Sequence, residues 1–382
     1  MKPTRLDNLT AARFVAAMLV VFHHATSVLQ DPNIITHAWL RSFFNNGYVG
    51  VTFFFILSGF VISASSFNQL QTPHIRNVLD FLARRLIRVV PVWLLLSLPL
   101  IFPAIEARPI PVSLYEFLSF TQAWSADVNV SYGYLAVAWT LSCEMFFYAM
   151  FPLAAFVIGR LRQRFRYTDA AVVSLAILVP FCGYLLFVYS PTLASLSLMD
   201  PNGPHRWLYR NPAMRFSEFL LGIGLFLYFE RYLARSRQTY SPWIWPGVLL
   251  VSASALLLLM ANLSMNTFSL AFAYIIPFGL IVFSLAAMEV GDTPIAVNAP
   301  LLLLLGEASY SLYLVHHHYG LPLFTPAFGA EKPLAGLVWG IVLVLALSVG
   351  IYMLIEKPMR TLLTGWLERI GLRPRERSVG AV

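Results

Sequence analysis

Several apolar stretches of this chain carry arginine, histidine and glutamate. Such groups are costly in a membrane and usually line a protein interior or a water-filled cavity. Arg13 and His24 stand eleven residues apart. On a helix their side chains differ by about 20° around the axis and about 16 Å along it, so they share one face at two depths. His23 lies about 80° off that face. Histidine is a natural general base near neutral pH. A single hydrogen-bonded core histidine is the plain alternative, and Arg13 on the same stripe weighs against it. Arg85 and Arg88, at i and i+3, face the same way. They suit membrane-surface anchoring or capture of a phosphorylated ligand, whose oxygens match the guanidinium fork. Glu144 and Tyr148, at i and i+4, can meet; a buried Glu–Arg pair between helices is the other reading of Glu144. Ser309, Tyr313 and His316 fall within about 60° of one another on a helix. The run His316-His317-His318 suggests a metal. Adjacent helical positions point about 100° apart, however, and zinc sites on helices favour histidines at i and i+4, so no metal is expected. Glu356-Lys357-Pro358 reads equally as a helix-end anchor or a functional motif.

The elements holding these groups follow from composition. Of 382 residues, 58% are hydrophobic and only 12% charged, with a mean hydropathy of +0.70. A soluble domain carries about a quarter charged residues, so a cytosolic enzyme is excluded. Aromatics at 15% exclude disorder. Two cysteines exclude a disulfide scaffold or thiolate cluster; Cys143 and Cys182 read as inert core thiols. A bilayer span takes about 20 apolar residues. Ten such stretches are present, near 9–29, 47–67, 86–105, 134–159, 170–190, 214–230, 243–262, 268–288, 300–320 and 336–355. The fold class expected is all-α, a polytopic membrane protein of about ten spans. Pro91, Pro99 and Pro103 should kink or shorten the third. One transmembrane domain is expected over 1–355, followed by a short basic tail over 356–382.

The formal charge of +8 raises the question of nucleic acid. With the N-terminus inside, alternate loops collect 19 of the 26 cations. They include Arg84, Arg160, Arg162, Arg164, Arg166, Arg231 and the C-terminal group from Lys357 to Arg377. Six fall outside: Arg41, Arg108, Arg206, Arg210, Arg215 and Lys332. That split obeys the positive-inside rule and predicts both termini inside. Nucleic-acid binding would need the cations on one soluble face and is not expected.

Taken together these residues resemble the acyltransferase 3 family of bacterial membrane O-acyltransferases. The stretch from Leu9 to His24, with Arg13, ten residues and then a histidine, is similar to the family's opening helix. Gly47-Tyr-Val-Gly50 to Phe60 resembles its second-helix signature, and Arg85-Leu-Ile-Arg88 with Pro91 its Arg-x-x-Arg. Trp139 to Pro152, Gly306 to His316 and Glu356-Lys-Pro358 resemble its later signatures. Two positions depart from the pattern: Ala12 replaces the common leucine, and His23 precedes the matched histidine. The resemblance implies that His24 is catalytic with Arg13 beside it, and that Arg85 and Arg88 belong to the acyl-CoA side. Glu144, Tyr148, Glu307, Tyr313 and His316 are motif positions without a fixed role.

The reaction implied moves an acyl group, acetyl first, from acyl-CoA to a sugar hydroxyl of a lipid-linked or cell-surface polysaccharide at the bacterial cytoplasmic membrane. A macrolide or glycolipid is the alternative acceptor. Acyl-CoA is a co-substrate, and no bound cofactor is expected. Trp124, Tyr132, Trp207 and Tyr209 lie in external loops, where they suit an interfacial aromatic belt or stacking on sugars. The rival of another class is a secondary transporter or exporter, since intramembrane His, Arg and Glu also suit proton coupling.

Overall fold

In lipid every backbone polar group must be satisfied within the protein, which leaves helices as the form an apolar chain of this kind adopts. The computed structural model describes residues 6–72, 74–107, 109–235, 243–290, 299–320 and 332–371, and among them there is no strand. The principal helices are α1 (Asp7–His24), α2 (Gly50–Leu70), α3 (Ile75–Glu106), α4 (Trp139–Arg164), α5 (Thr168–Tyr189), α6 (Pro212–Arg235), α7 (Ile244–Asn262), α8 (Ile275–Val290), α9 (Pro300–Glu307), α10 (Ser309–Val315), α11 (Pro333–Ile351) and α12 (Lys357–Arg369). Lys2, Arg5, Arg108, Arg237, Arg373, Arg375 and Arg377, counted above for topology, lie outside the described residues.

Eight helical segments among the described residues are long and apolar enough to cross a membrane, so the chain is a multi-pass membrane protein. The first and ninth expected spans are helical but do not join that count. In α1, Asp7, Asn8, Arg13 and two histidines dilute the apolar run. The ninth stretch breaks at Ala308 into α9 and α10, of 8 and 7 residues. The prolines of α3 do not shorten it: the helix is continuous over 32 residues and starts eleven residues before the expected span. Neighbours brace it there, with the Tyr310 hydroxyl donating to the Val89 carbonyl (2.7 Å) and Tyr319 to Leu96 (2.6 Å). The boundary expected at 355/356 falls inside helical chain, because α11 passes through a wide π-type turn (Tyr352–Glu356) directly into α12.

Glycines let the helices that carry the polar groups approach closely. A Cβ on Gly59 of α2 would overlap the Phe219 carbonyl of α6, and one on Gly222 would overlap Ile56. On α1, the Leu19 carbonyl occupies the space of a Gly47 side chain, Ala16 that of Gly50, and Thr10 that of Gly306. The glycines of two signature motifs, with Gly222, therefore act as bearings for α1 and α2. Between the helices lie fully buried rings, among them Phe55, Phe147 and Phe219. Cys143 is buried, but Cys182 is exposed, against the reading of both as core thiols. The buried stripe of α5 runs through Val172, Ala176, Pro180, Gly183 and Phe187, and Cys182 lies off it.

Arg215 is likewise not a loop cation. It sits in the first turn of α6, 2% exposed, paired with Glu218 at 2.7 Å. Its guanidinium also donates to Thr52 of α2 (3.2 Å) and lies over the rings of Phe55 and Tyr209. The i, i+3 spacing of Arg215 and Glu218 in an apolar stretch was the available sequence signal.

Candidate active site

A cavity of about 650 Å³ enters the bundle from the end where α1 and α3 begin. Leu6, Asn68, Arg88 and Glu230 line that end; Val51, Phe54, Thr140 and Tyr313 line the deeper part. Arg13, Glu144 and Tyr148 stand along its wall. Five of the residues predicted from spacing, Arg88, Glu144, Tyr148, Ser309 and Tyr313, thus share one space with Arg13. The Tyr148 hydroxyl donates to Glu144 at 2.8 Å, as the i, i+4 spacing allows. No ion pair joins Glu144 to an arginine among the described residues, so the alternative of a Glu–Arg clamp does not hold. Arg13 lies in the field of Arg88, Glu356 and Glu144.

The two arginines of the Arg85/Arg88 pair diverge. Arg88 is in the cavity wall. Arg85 packs its guanidinium over the Phe81 ring at 5.5 Å and reaches Ser65 at 3.5 Å. Ser65 itself lines the cavity, so Arg85 stands behind the rim rather than in it.

The face predicted to carry Ser309, Tyr313 and His316 exists and is divided between two tasks. Ser309 and Tyr313 line the cavity, and the buried Ser309 hydroxyl has no hydrogen-bond partner among the described residues. His316, fully buried, turns to α1. Its Nε2 lies 3.1 Å from Nδ1 of His24, and that Nδ1 is also 2.9 Å from the Val20 carbonyl. The Tyr313 ring, 5.9 Å from that of His316 and 6.2 Å from that of Phe54, joins the cavity to the histidine pair. His317, singled out only as part of the His run, has its ring 4.7 Å from that of His24. His23 points elsewhere: its Nδ1 is 2.6 Å from the Asn45 carbonyl and its ring packs against Tyr48.

Glu307 and Glu356 are held by hydroxyls across the last helices. Tyr352 donates to Glu307 (2.6 Å), and Ser311 to Glu356 (2.6 Å). The two closing signatures are therefore in contact with each other, and Glu356 also lies in the field of Arg88 and Arg13.

At the other end of the bundle a short wide-turn helix (His205–Arg210) packs on the loop before α4. Arg210 is buried and donates to the Ser125 carbonyl (2.7 Å), the Ala126 carbonyl (3.2 Å) and the Ser131 hydroxyl. Of the external aromatics, Tyr209 is buried, while Trp124 and Trp207 remain open. Burial, with Arg210 nearby, pushes the His205 imidazole down to about 4. The unfolded chain, titrating near 6.5, then takes up a proton that the folded chain refuses between about pH 6.5 and 4. Stability should be complete above that window and fall as pH drops through it, by up to about 1.4 kcal/mol per pH unit from this group. Comparing thermal midpoints of wild type and His205→Gln across pH 4–7 should show a flatter acid limb in the variant; parallel limbs would refute the assignment.

The model of a family described as an acyltransferase domain matches residues 6–353, nearly the whole of the described structure. The chain belongs to this family. It is 28% identical over 326 residues to acyltransferase MdmB of Streptomyces mycarofaciens, covering 82% of this chain and 78% of that protein. It is 24% identical over 384 residues to O-acetyltransferase OatA of Staphylococcus aureus (strain NCTC 8325 / PS 47), covering 94% of this chain. There the chain spans only 58% of the relative's length. No solved structure matches the chain. The chain therefore carries an O-acyltransferase domain, and membership of this family sets it among acyltransferases rather than secondary transporters.

Proposed function

We propose that the protein transfers an acyl group, acetyl first, from acyl-CoA to a sugar hydroxyl of a lipid-linked or cell-surface polysaccharide. The reaction takes place in the bacterial cytoplasmic membrane with both termini inside. The observation that carries this reading is the single cavity wall holding Arg13 and Arg88, continued through Tyr313 to the His24–His316 pair. Arg88 and Arg13 suit the anionic part of a CoA ester, and Arg85 supports the rim. The pantetheine arm would run inward along apolar wall toward Tyr313. His24 takes the proton of the acceptor hydroxyl as its oxygen attacks the thioester carbonyl. The new C–O bond forms as the C–S bond breaks, and the leaving thiolate recovers the proton from His24. Arg13, about 16 Å from His24 along α1, serves the anionic end of the donor rather than the reacting carbonyl. OatA, an O-acetyltransferase by name, supports acetyl as the group moved.

Membranes containing the protein, given radiolabelled acetyl-CoA, should pass label to surface glycan; no label in the glycan would overturn the reading. Arg88→Ala should raise KM for acetyl-CoA about 10- to 100-fold, the worth of one charge-assisted phosphate contact. Arg85→Ala, behind the rim, should raise it less. An unchanged KM in Arg88→Ala would refute the role of Arg88.

A further inference from the structure

His24 makes a contact that no helical spacing on α1 could announce. Its Nδ1 lies between two acceptors, the Val20 carbonyl oxygen at 2.9 Å and Nε2 of His316 at 3.1 Å. A carbonyl oxygen only accepts, so Nδ1 of His24 carries the proton in this arrangement. The same logic applies to the partner. Nδ1 of His316 lies 3.2 Å from the Leu312 carbonyl, so it too is the protonated nitrogen. Nε2 of neutral His316 is then a lone pair, aimed at the proton of His24. These tautomers follow from the partners each nitrogen meets.

We propose that His316 is the positioning residue of His24: it shares the Nδ1 proton with the Val20 carbonyl and, from α10, holds the ring so that Nε2 of His24 stays unprotonated and free to take the acceptor's proton. The proposal rests on His24 being the base. The bond to Val20 is made within α1 and rotates with the ring's own helix, whereas His316 arrives from α10 and fixes the ring against the rest of the bundle. His316 is fully buried, so the contact is made away from the surface. Its position at the start of a wide turn (His316–Gly320) departs from regular α geometry, a feature frequent at functional sites. The rings of His23 and His317, 5.0 and 4.7 Å from that of His24 and steeply inclined to it, close two further sides. When His24 takes the proton on Nε2, the positive charge on its ring is shared with an imidazole lone pair and a carbonyl. When the leaving thiolate recovers that proton, both histidines return to neutral.

The test uses the full chain in nanodiscs with 15N-histidine, the His24 signals being identified from their loss in His24→Gln. Wild type should show His24 protonated on Nδ1. His316→Ala should shift it toward a mixture of tautomers and lower kcat for acetyl transfer in native membranes about 10- to 100-fold, part of what general base catalysis contributes. KM for acetyl-CoA should stay nearly constant. His316→Gln, whose amide oxygen can stand near the lost Nε2, should restore the tautomer and most of the rate. A His24 tautomer and kcat unchanged in His316→Ala would overturn the positioning role. So would a fall in rate, with the tautomer unchanged, that His316→Gln does not repair. If His24→Ala itself transfers acetyl normally, the base assignment fails instead, and the tautomer measurement separates the two failures.

Discussion

Replacing His24 with alanine should lower acetyl transfer by about 10²–10⁴-fold, the usual worth of a positioned general base. The protein should still fold, because the ring's partners are a carbonyl and a second imidazole rather than a buried charge. His23→Ala is the informative companion. The two histidines are adjacent, and sequence spacing alone favours the second without excluding the first. In the structure His23 is engaged by the Asn45 carbonyl and the Tyr48 ring, while His24 meets the residues that lead to the cavity. Transfer of label from acetyl-CoA to glycan should therefore survive His23→Ala at the wild-type order of magnitude and be lost in His24→Ala. The opposite pattern would move the base to His23.

The second large effect is on stability. Arg215 and Glu218 are each almost completely buried and 2.7 Å apart. Removing one partner strands a charge in an apolar interior, a loss of roughly 3–5 kcal/mol. Glu218→Leu or Arg215→Met should each lower the thermal midpoint sharply and reduce the yield of folded protein. The double variant should recover much of the loss, since a buried pair often comes close to balancing its own desolvation cost. The guanidinium also lies on Phe55 and Tyr209 and bonds Thr52, so some loss should remain in the double variant. Single variants with wild-type midpoints would show that the pair is not structural and would direct attention to transfer itself.

What could be read from sequence was local. The membrane character came from composition, and the pairing of Glu144 with Tyr148 from a four-residue helical spacing. The shared face of Ser309, Tyr313 and His316 followed from the same periodicity, although the helix there is interrupted on both sides, at Ala308 and by the wide turn. Arg85 and Arg88 show the limit of such reasoning. Their spacing puts both on one side of α3, but the Phe81 ring and Ser65 draw the first guanidinium away from the wall that the second enters. The same limit applied to Arg215, counted among loop cations until the chain folded and brought Thr52, Phe55 and Tyr209 around it.

By itself, then, the sequence determined a polytopic helical protein and which polar residues share a face of one helix. A hydrophobic run and a 3.6-residue period are properties of neighbouring residues, and no other part of the chain is needed to express them. Tertiary structure alone decided that His316 meets His24 across 292 positions, that Tyr352 meets Glu307, and that Arg13 and Arg88 face one cavity. Those distances depend on how closely and in what order helices pack. Here that is set by glycines at the crossings, where Leu19 and Thr10 of α1 rest directly on the backbones of Gly47 and Gly306.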